Sequence, residues 1–370
     1  MSFSAQQFAS RQRGLTIVEL MIAMLIGAFL IGGAIQVFVG NRVMYSFNDG
    51  VARIQENARV SLEQIAQTAR MSGYRGCFGS VGVFNNLAAP NNVRDDIVNG
   101  VQGYDARGTI DGDLYNAAAM DPAPGGNPAD WVPALPVELR NLVIPGSDVL
   151  MLRGATGPVV PLVAPFSDPN QIFVDPGHGF VAGDLLVTAD CQKASLFQLT
   201  SVGGAGAAEA LVHGGSGGYS PGNGTTTWPT DQDYGFGSEV SRYQAYAFYV
   251  GQGASGRPSL FQLRLQLTAG GANAFVAEEL VEGIDTMQIR YGVDTDNDED
   301  IDNWLSGNAV VNWTQVLSVE VSLLSRSAEE YGTETDQAIY NLGTVRFDPV
   351  DDRRFRQVFS TTIGIRNRLP

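Results

Sequence analysis

Basic side chains are scarce in this chain. Its 370 residues include 23 lysines and arginines against 39 aspartates and glutamates, which gives a formal net charge of −16. Nucleic-acid binding needs a basic surface, so this charge balance argues against it. Lys193 is the only lysine, and the glycine-rich stretch 203–206 lacks the lysine of a phosphate-binding loop.

Histidine is also rare. His178 and His213 lie in glycine-rich surroundings, without the spacing of zinc ligands and without a G-x-S-x-G nucleophile elbow nearby. We expect each histidine to occupy a surface or turn position. Together these absences predict a protein that is not an enzyme.

One long segment near the N-terminus lacks charge almost completely. Between Leu15 and Val39 the only charged residue is Glu19, and a basic leader ending in Arg13-Gly14 precedes the segment. With about 1.5 Å of rise per residue, a helix over this segment would reach roughly 37 Å, enough to span a bilayer. A secretory signal peptide has a shorter apolar region that precedes its cleavage site. The basic leader predicts a cytoplasmic N-terminus, with the chain after Val39 in the periplasm or outside.

The glycine, the glutamate and the apolar run resemble the prepilin leader of type IV pilins and type II secretion pseudopilins. The resemblance implies that a prepilin peptidase cuts after Gly14 and methylates Leu15, although the family usually has phenylalanine at this position. It also implies that Glu19 attracts the amino terminus of a neighbouring subunit and sets the axial register. A carboxylate within a bilayer is costly, so it usually marks a functional contact. Alternatively, Glu19 lies near the headgroups, where its negative charge interacts favourably with the dipole at the start of the helix.

The helical pattern continues beyond Val39. Apolar residues recur at spacings of three and four from Phe47 to Ala69, opposite a face of charged and amide side chains. Gly73 and Gly76 then punctuate the end of the helix. The sequence therefore predicts a leader peptide (1–14), a transmembrane or filament-core half of a stalk helix (15–39), an amphipathic half (40–76) and a β-rich head (77–370).

The head has the patterns of short strands. Residues 259–267 alternate between apolar and polar side chains, as a half-buried antiparallel strand should. Further strands are predicted at 147–153, 183–189, 195–201, 240–250, 287–293, 315–325 and 355–366. The compositions of 117–136 and 203–237 predict loops. The second loop is expected to be either disordered or an ordered surface whose aromatic side chains contact a neighbour. The predicted fold is α+β and pilin-like, a long N-terminal helix packed on an antiparallel β-rich head.

The chain has two cysteines, Cys77 and Cys191, both in the exported part. In an oxidising compartment a disulfide between them is the favoured prediction. It would close a loop of about 114 residues, worth roughly 4 to 5 kcal/mol in the chain-entropy model, less any strain. Two buried free thiols are the alternative.

An alternating acidic run is the stretch of the head with a definite chemical interpretation. Its aspartates fall at positions 1, 3, 5, 7 and 9 of an EF-hand-type loop: Asp294, Asp296, Asp298, Asp300 and Asp302. Calcium binds oxygen ligands of this kind, and so many carboxylates would repel one another without a cation. The match is truncated, because Glu299 replaces the turn glycine and Leu305 the bidentate glutamate. We predict calcium binding of modest affinity, with a solvated acidic turn as the alternative.

Four further stretches indicate which type of pilin the chain resembles. Residues 69–77, 188–198, 289–296 and 353–363 are similar to minor pilins of the PilW type, a family that commonly places glycines inside the aspartate loop. This resemblance implies a low-abundance pilin that helps to start pilus assembly at or near the tip. The implied partners are other minor pilins, the major pilin, a tip adhesin, the inner-membrane assembly platform and the prepilin peptidase. The implied roles are twitching motility and adhesion.

Two alternatives stay open at this point. A type II secretion pseudopilin of the J type shares the stalk and the β-rich head but stays in the periplasm. A membrane-anchored, calcium-dependent binding protein that never assembles would tolerate the loss of Glu19. A minor pilin is instead expected to be a single-pass inner-membrane protein before assembly, with its head in the periplasm, and to lie in the pilus afterwards.

Overall fold

The computed structural model describes residue 14 and residues 16–76, 81–117, 127–204, 207–215, 217–331 and 334–368. The chain divides into two compact units, Met1–Val51 and Ala52–Pro370. The helices are α1 (Ile17–Arg70) and α2 (Asn92–Asp95). In chain order the strands are β1 (Gly82–Asn85), β2 (Val101–Ala106), β3 (Leu114–Asn116), β4 (Trp131–Val132), β5 (Val149–Asp168), β6 (Gln171–Val174), β7 (Leu185–Ala189), β8 (Lys193–Gln198), β9 (Ser201–Gly203), β10 (Glu209–Val212), β11 (Glu239–Gln252), β12 (Pro258–Leu267), β13 (Asn273–Glu282), β14 (Ile284–Val293), β15 (Asn303–Ser306), β16 (Val316–Glu330), β17 (Tyr340–Leu342), β18 (Val345–Asp348) and β19 (Arg354–Gly364).

The first unit contains the apolar start of α1. Its large side chains face away from any protein core, with Ile17 79%, Phe29 83% and Phe38 70% exposed. By length and composition α1 could cross a membrane. Side chains of this kind need lipid or other helices around them, because water is an unfavourable surrounding for so much apolar surface.

The second unit begins with the amphipathic part of α1. Ile54, Ala58, Ile65 and Ala69 are almost fully buried and form the stripe that the sequence predicts. Beyond Arg70 the chain turns sharply at Gly73, whose φ of 74° is a conformation that glycine adopts without a β-carbon clash. The helix therefore ends where the predicted glycine signal lies.

Three sheets build the rest of the second unit. Among the described residues, the large sheet has twelve strands with the central order β1-β8-β7-β11-β5-β6-β10-β9, and β12–β13 and β2–β4 attach to β11 and β5. The second sheet has the order β15-β14-β16-β19, and the small sheet the order β17-β18-β3. Pairing is antiparallel except between β1 and β8 and between β3 and β18. This architecture confirms the predicted α+β, pilin-like fold.

One core joins α1 to both larger sheets. Ile65 and Ala69 of α1 pack in a cluster with Leu150 from the large sheet and with Met287 and Val319 from the second sheet. Burying a side chain such as Ile65 contributes about 1.5 to 3 kcal/mol. The amphipathic part of α1 is therefore a structural member of the head.

The glycine-rich stretch 203–237, for which surface disorder was one prediction, contains buried aromatic side chains. Trp228 and Tyr234 are buried at 6% and 1% exposure, and they pack with Phe197 of the large sheet. His213, expected at the surface, is fully buried and stacks on Trp228 with ring centroids 3.8 Å apart. Burial lowers the pKa of His213 to about 4, so its ring is neutral at physiological pH. Trp228 and Tyr234 therefore anchor this stretch to its own head, whereas Phe236 is exposed.

Candidate functional site

The start of α1 carries the predicted processing and assembly residues. Gly14 is exposed, and a β-carbon added to it would have no other atom within 4 Å, whereas Leu15 lies outside the described residues. Glu19 occupies the first turn of α1 and is exposed. Among the described residues, the space around Gly14 is therefore open.

The carboxylate of Glu19 is held by its own helix. Its Oε2 accepts hydrogen bonds from the Thr16 backbone N–H at 3.0 Å and from Thr16 Oγ1 at 2.9 Å. In return, the Glu19 backbone N–H donates to Thr16 Oγ1 at 3.3 Å. This reciprocal arrangement is a capping box, which satisfies backbone donors at a helix start. Both bonds to Thr16 use Oε2 of the carboxylate.

The acidic loop connects β14 to β15 and brings three of the five predicted aspartates together. Oxygens of Asp294, Asp296 and Asp302 all lie within 4.8 Å of one another, and Asp294 is buried while the other two are exposed. Asp298 and Asp300 do not belong to this group. The arrangement therefore uses positions 1, 3 and 9 of the EF-hand-type spacing.

Hydrogen bonds within the loop fix its shape. Asp294 accepts the backbone N–H of Asn297 at 2.6 Å and that of Glu299 at 3.0 Å. Asp302 Oδ2 accepts Thr295 N at 2.7 Å and Thr295 Oγ1 at 2.6 Å, and these bonds lower the pKa of Asp302. Two non-glycine residues take left-handed backbone conformations, Asn297 with φ 63° and Glu299 with φ 74°. The resemblance predicts glycines inside this loop; asparagine adopts such a conformation more readily than most residues, whereas glutamate does so rarely.

The donor set of this group suits a hard divalent cation. All three side chains offer carboxylate oxygens, the ligand type that calcium prefers. The charge of Asp298 raises the pKa of Asp296, with smaller contributions from the other neighbouring aspartates. Close carboxylates raise one another's pKa in this way when no cation balances them.

The two cysteines are described only in part. Cys191 lies in the turn between β7 and β8, and Cys77 lies outside the described residues, so their disulfide stays a prediction. Gly76 immediately precedes Cys77 and packs tightly on this turn, because a β-carbon on Gly76 would lie 2.6 Å from Ala189 Cβ. The chain therefore approaches the Cys191 turn directly before Cys77.

A buried pair of carboxyl groups links the two larger sheets. Asp148 is 2% exposed and accepts hydrogen bonds from Ala106 N at 2.9 Å and from Ile289 N at 2.9 Å. Asp105 is also 2% exposed, accepts the backbone N–H groups of Gly307 and Asn308, and has no partner for Oδ2 among the described residues. Burial raises the pKa of Asp105 to about 7, and burial together with the charge of Asp105 raises that of Asp148 well above its ordinary value.

Sequence reasoning missed this pair for a physical reason. The two aspartates border ordinary apolar strands, and no spacing connects them. Their hydrogen-bond partners are far away in the chain, Ala106 for Asp148 and Gly307 for Asp105. Only the assembled sheets reveal the arrangement.

Two comparisons with known families agree with the geometry at both ends of the chain. The prokaryotic N-terminal methylation motif matches residues 9–35, which include Gly14, Leu15 and Glu19. Together with the exposed apolar helix, this match supports the class of prepilin-like, membrane-anchored proteins. The family of type IV pilus-assembly protein W matches residues 247–367, from the end of β11 through β19. The two matches together support a PilW-type minor pilin with a role in pilus assembly. No curated protein and no solved structure matches the chain.

Proposed function

We propose that this chain is a minor pilin that primes type IV pilus assembly. In this proposal it belongs to a tip-associated complex with other minor pilins and an adhesin, and it supports twitching motility and adhesion without catalysing a reaction. The observation that carries the proposal is the PilW match, which covers the complete second sheet and the acidic loop. The exposed apolar helix supports it, since such a helix fits both a membrane and a filament core.

The proposed route runs from the inner membrane to the pilus. The prepilin peptidase would remove residues 1–14 and methylate Leu15, and the assembly platform would then move the helix from lipid into the filament beside the major pilin. In that step the Glu19 carboxylate would exchange Thr16 for the amino terminus of a neighbour. Before assembly the head would lie in the periplasm, and afterwards at the cell surface.

The test compares Glu19→Ala with Glu19→Gln and the unchanged chain. Pili are sheared from cells and counted, and peptide mass spectrometry searches them for a terminus that begins at methylated Leu15. The proposal expects the methylated peptide in sheared pili and a loss of pili in Glu19→Ala, with Glu19→Gln showing whether charge is required. A processed chain confined to the membrane would favour the J-type pseudopilin. Unchanged piliation in Glu19→Ala would favour an anchored protein that does not assemble.

Calcium is the proposed ligand of the acidic loop. Asp294, Asp296 and Asp302 would hold the ion, which would neutralise the mutual repulsion of their carboxylates and stiffen the connection between β14 and β15. The proposed disulfide between Cys77 and Cys191 would similarly tie the end of α1 to the large sheet.

A further inference from the structure

The second sheet ends in a long open strand. β19 pairs with β16 on one side, from Ser318 opposite Gly364 to Arg326 opposite Arg356, and it is the last strand of its sheet. Its side chains differ between the two faces, because Ile363 is buried against α1 whereas Ser360 and Thr362 are exposed. No described strand is hydrogen-bonded to the other edge of β19.

The register shows which backbone groups point outward. Ile365 N donates to Leu317 O at 2.9 Å, so Ile365 directs its peptide groups toward β16. Peptide groups alternate in direction along a strand, so the even-numbered residues direct theirs away from β16. These residues are Val358, Ser360, Thr362 and Gly364. In the described part of the chain, no hydrogen bond joins their outward N–H and C=O groups to another residue.

This edge lacks the devices that usually prevent strand addition. Residues 357–365 contain neither a charge nor a proline, and valine, threonine and isoleucine favour extended backbone. The outer edge of β13, by contrast, carries Glu278, Glu279 and Glu282, and its pairing with β12 contains a bulge. The remaining described edge strands are at most four residues long, whereas β19 has eleven.

We propose that the outer edge of β19 binds an extended strand of another chain, which adds a fifth strand to the second sheet. The inference rests on the proposed function and deepens it, because it names how this pilin would hold a partner subunit. A β-strand is the ligand whose N–H and C=O groups match such a row of unpaired peptide groups.

The charges beside β19 favour a different chain over a second copy. Arg353 precedes the strand and Arg366 follows it, and both are exposed. Antiparallel self-pairing would place Arg353 near Arg366, and parallel self-pairing would place like residues together, so both arrangements bring equal charges close. Arg353 already contacts Glu330 at 2.7 Å, whereas Arg366 has no ion-pair partner in the described residues. The partner strand is therefore uncharged along its length and carries a carboxylate at the end that meets Arg366.

The experiment places a photo-crosslinking p-benzoylphenylalanine at Thr362 of the full-length chain in piliated cells. Crosslinked peptides are sequenced by mass spectrometry, and Ala277, an exposed residue of β13, serves as the control position. The proposal expects an adduct from Thr362 to an uncharged segment of a different chain, and none from Ala277. No adduct from Thr362, or one to a second copy alone, overturns the proposal.

A charge at the edge gives a second measurement. Thr362→Lys should reduce sheared pili by about tenfold or more, since the added strand would have to accommodate an unpaired ammonium group. Ala277→Lys should leave piliation unchanged, and the melting temperature of each detergent-solubilised full chain checks its fold. Normal piliation in a folded Thr362→Lys variant, while Glu19→Ala removes pili, overturns the edge proposal and leaves the proposed function standing. Normal piliation in Glu19→Ala removes the proposed function itself.

Discussion

Replacing Asp105 by asparagine should stabilise the head at pH 8 and do so much less at pH 5. Asp105 is 2% exposed and lies in one buried cluster with Asp148, and burial is the main cause that raises its pKa to about 7. A carboxyl group with a raised pKa stabilises the folded chain in its protonated form. This contribution is complete below about pH 4, the ordinary aspartate value, and is lost as the pH rises through about 7.

The expected gain in the free energy of unfolding follows from the raised pKa of Asp105. Moving the pKa of Asp105 from about 3.9 to about 7 corresponds to about 4 kcal/mol in the free energy of unfolding. This is an upper estimate, because the charge of Asp105 also changes the pKa of Asp148. Asn keeps an oxygen that can accept the N–H groups of Gly307 and Asn308, and its uncharged amide removes the buried negative charge that Asp105 carries at pH 8. We therefore expect Asp105→Asn to raise the free energy of unfolding by about 2 to 4 kcal/mol at pH 8.

The assay is urea unfolding of the detergent-solubilised full chain between pH 5 and pH 8.5. Tryptophan fluorescence follows the unfolding, and one of the four tryptophans is buried Trp131, whose Nε1 donates to Ser147 O. Asp231→Asn, at an exposed position, is the matched control, and its difference in stability from the unchanged chain should stay constant over this pH range. A variant that is less stable than the unchanged chain at pH 8 would refute the reasoning, because the carboxylate would then be ionised and stabilising.

Three further predictions concern other parts of the head. Glu299→Gly should raise the free energy of unfolding by up to about 1 kcal/mol, because glycine tolerates φ 74°, and a thermal melt that falls instead would contradict this. Asp294→Asn should weaken calcium binding about tenfold or more in isothermal titration calorimetry. Asp300→Asn, which lies outside the group of clustered oxygens, should weaken it far less. Equal effects of the two substitutions would argue against the three-aspartate site. Arg356→Ala should lower stability by about 3 to 5 kcal/mol in urea, since the buried guanidinium bonds Asp285 and Asp352, and a loss under 1 kcal/mol would mean that water replaces it.

The regular elements of this fold were predictable from local patterns. Residues 259–267 alternate in sequence, and the structure has a strand at Pro258–Leu267 with the corresponding alternation in burial over most of its length. The strand β13 was missed because Val281 is its only buried residue, so that Asn273–Glu282 has no clear alternation. Hydrophobic periodicity reports burial, and an element that buries little gives little signal.

The candidate sites were predictable only where the chemistry is local. Glu19 and the aspartate run are contiguous motifs, so residue types and spacing indicate them directly. Which aspartates converge depends on the backbone at Asn297 and Glu299, where φ takes positive values that asparagine tolerates and glutamate rarely adopts. The buried position of His213 depends on Trp228, which the stretch 203–237 brings back onto the large sheet. Contacts of these kinds follow from tertiary packing, which overrides local preference.

The end of α1 is joined to β5 through the main chain. Gly73 N donates to Arg153 O at 2.8 Å, and Ala155 N donates to Tyr74 O at 2.8 Å. The segment after the helix is therefore hydrogen-bonded to β5 in the manner of a neighbouring strand. A tensile load applied along α1 would meet these two bonds as well as the apolar contacts of Ile65 and Ala69 in the core. The head is therefore built to remain attached to its stalk under a pull.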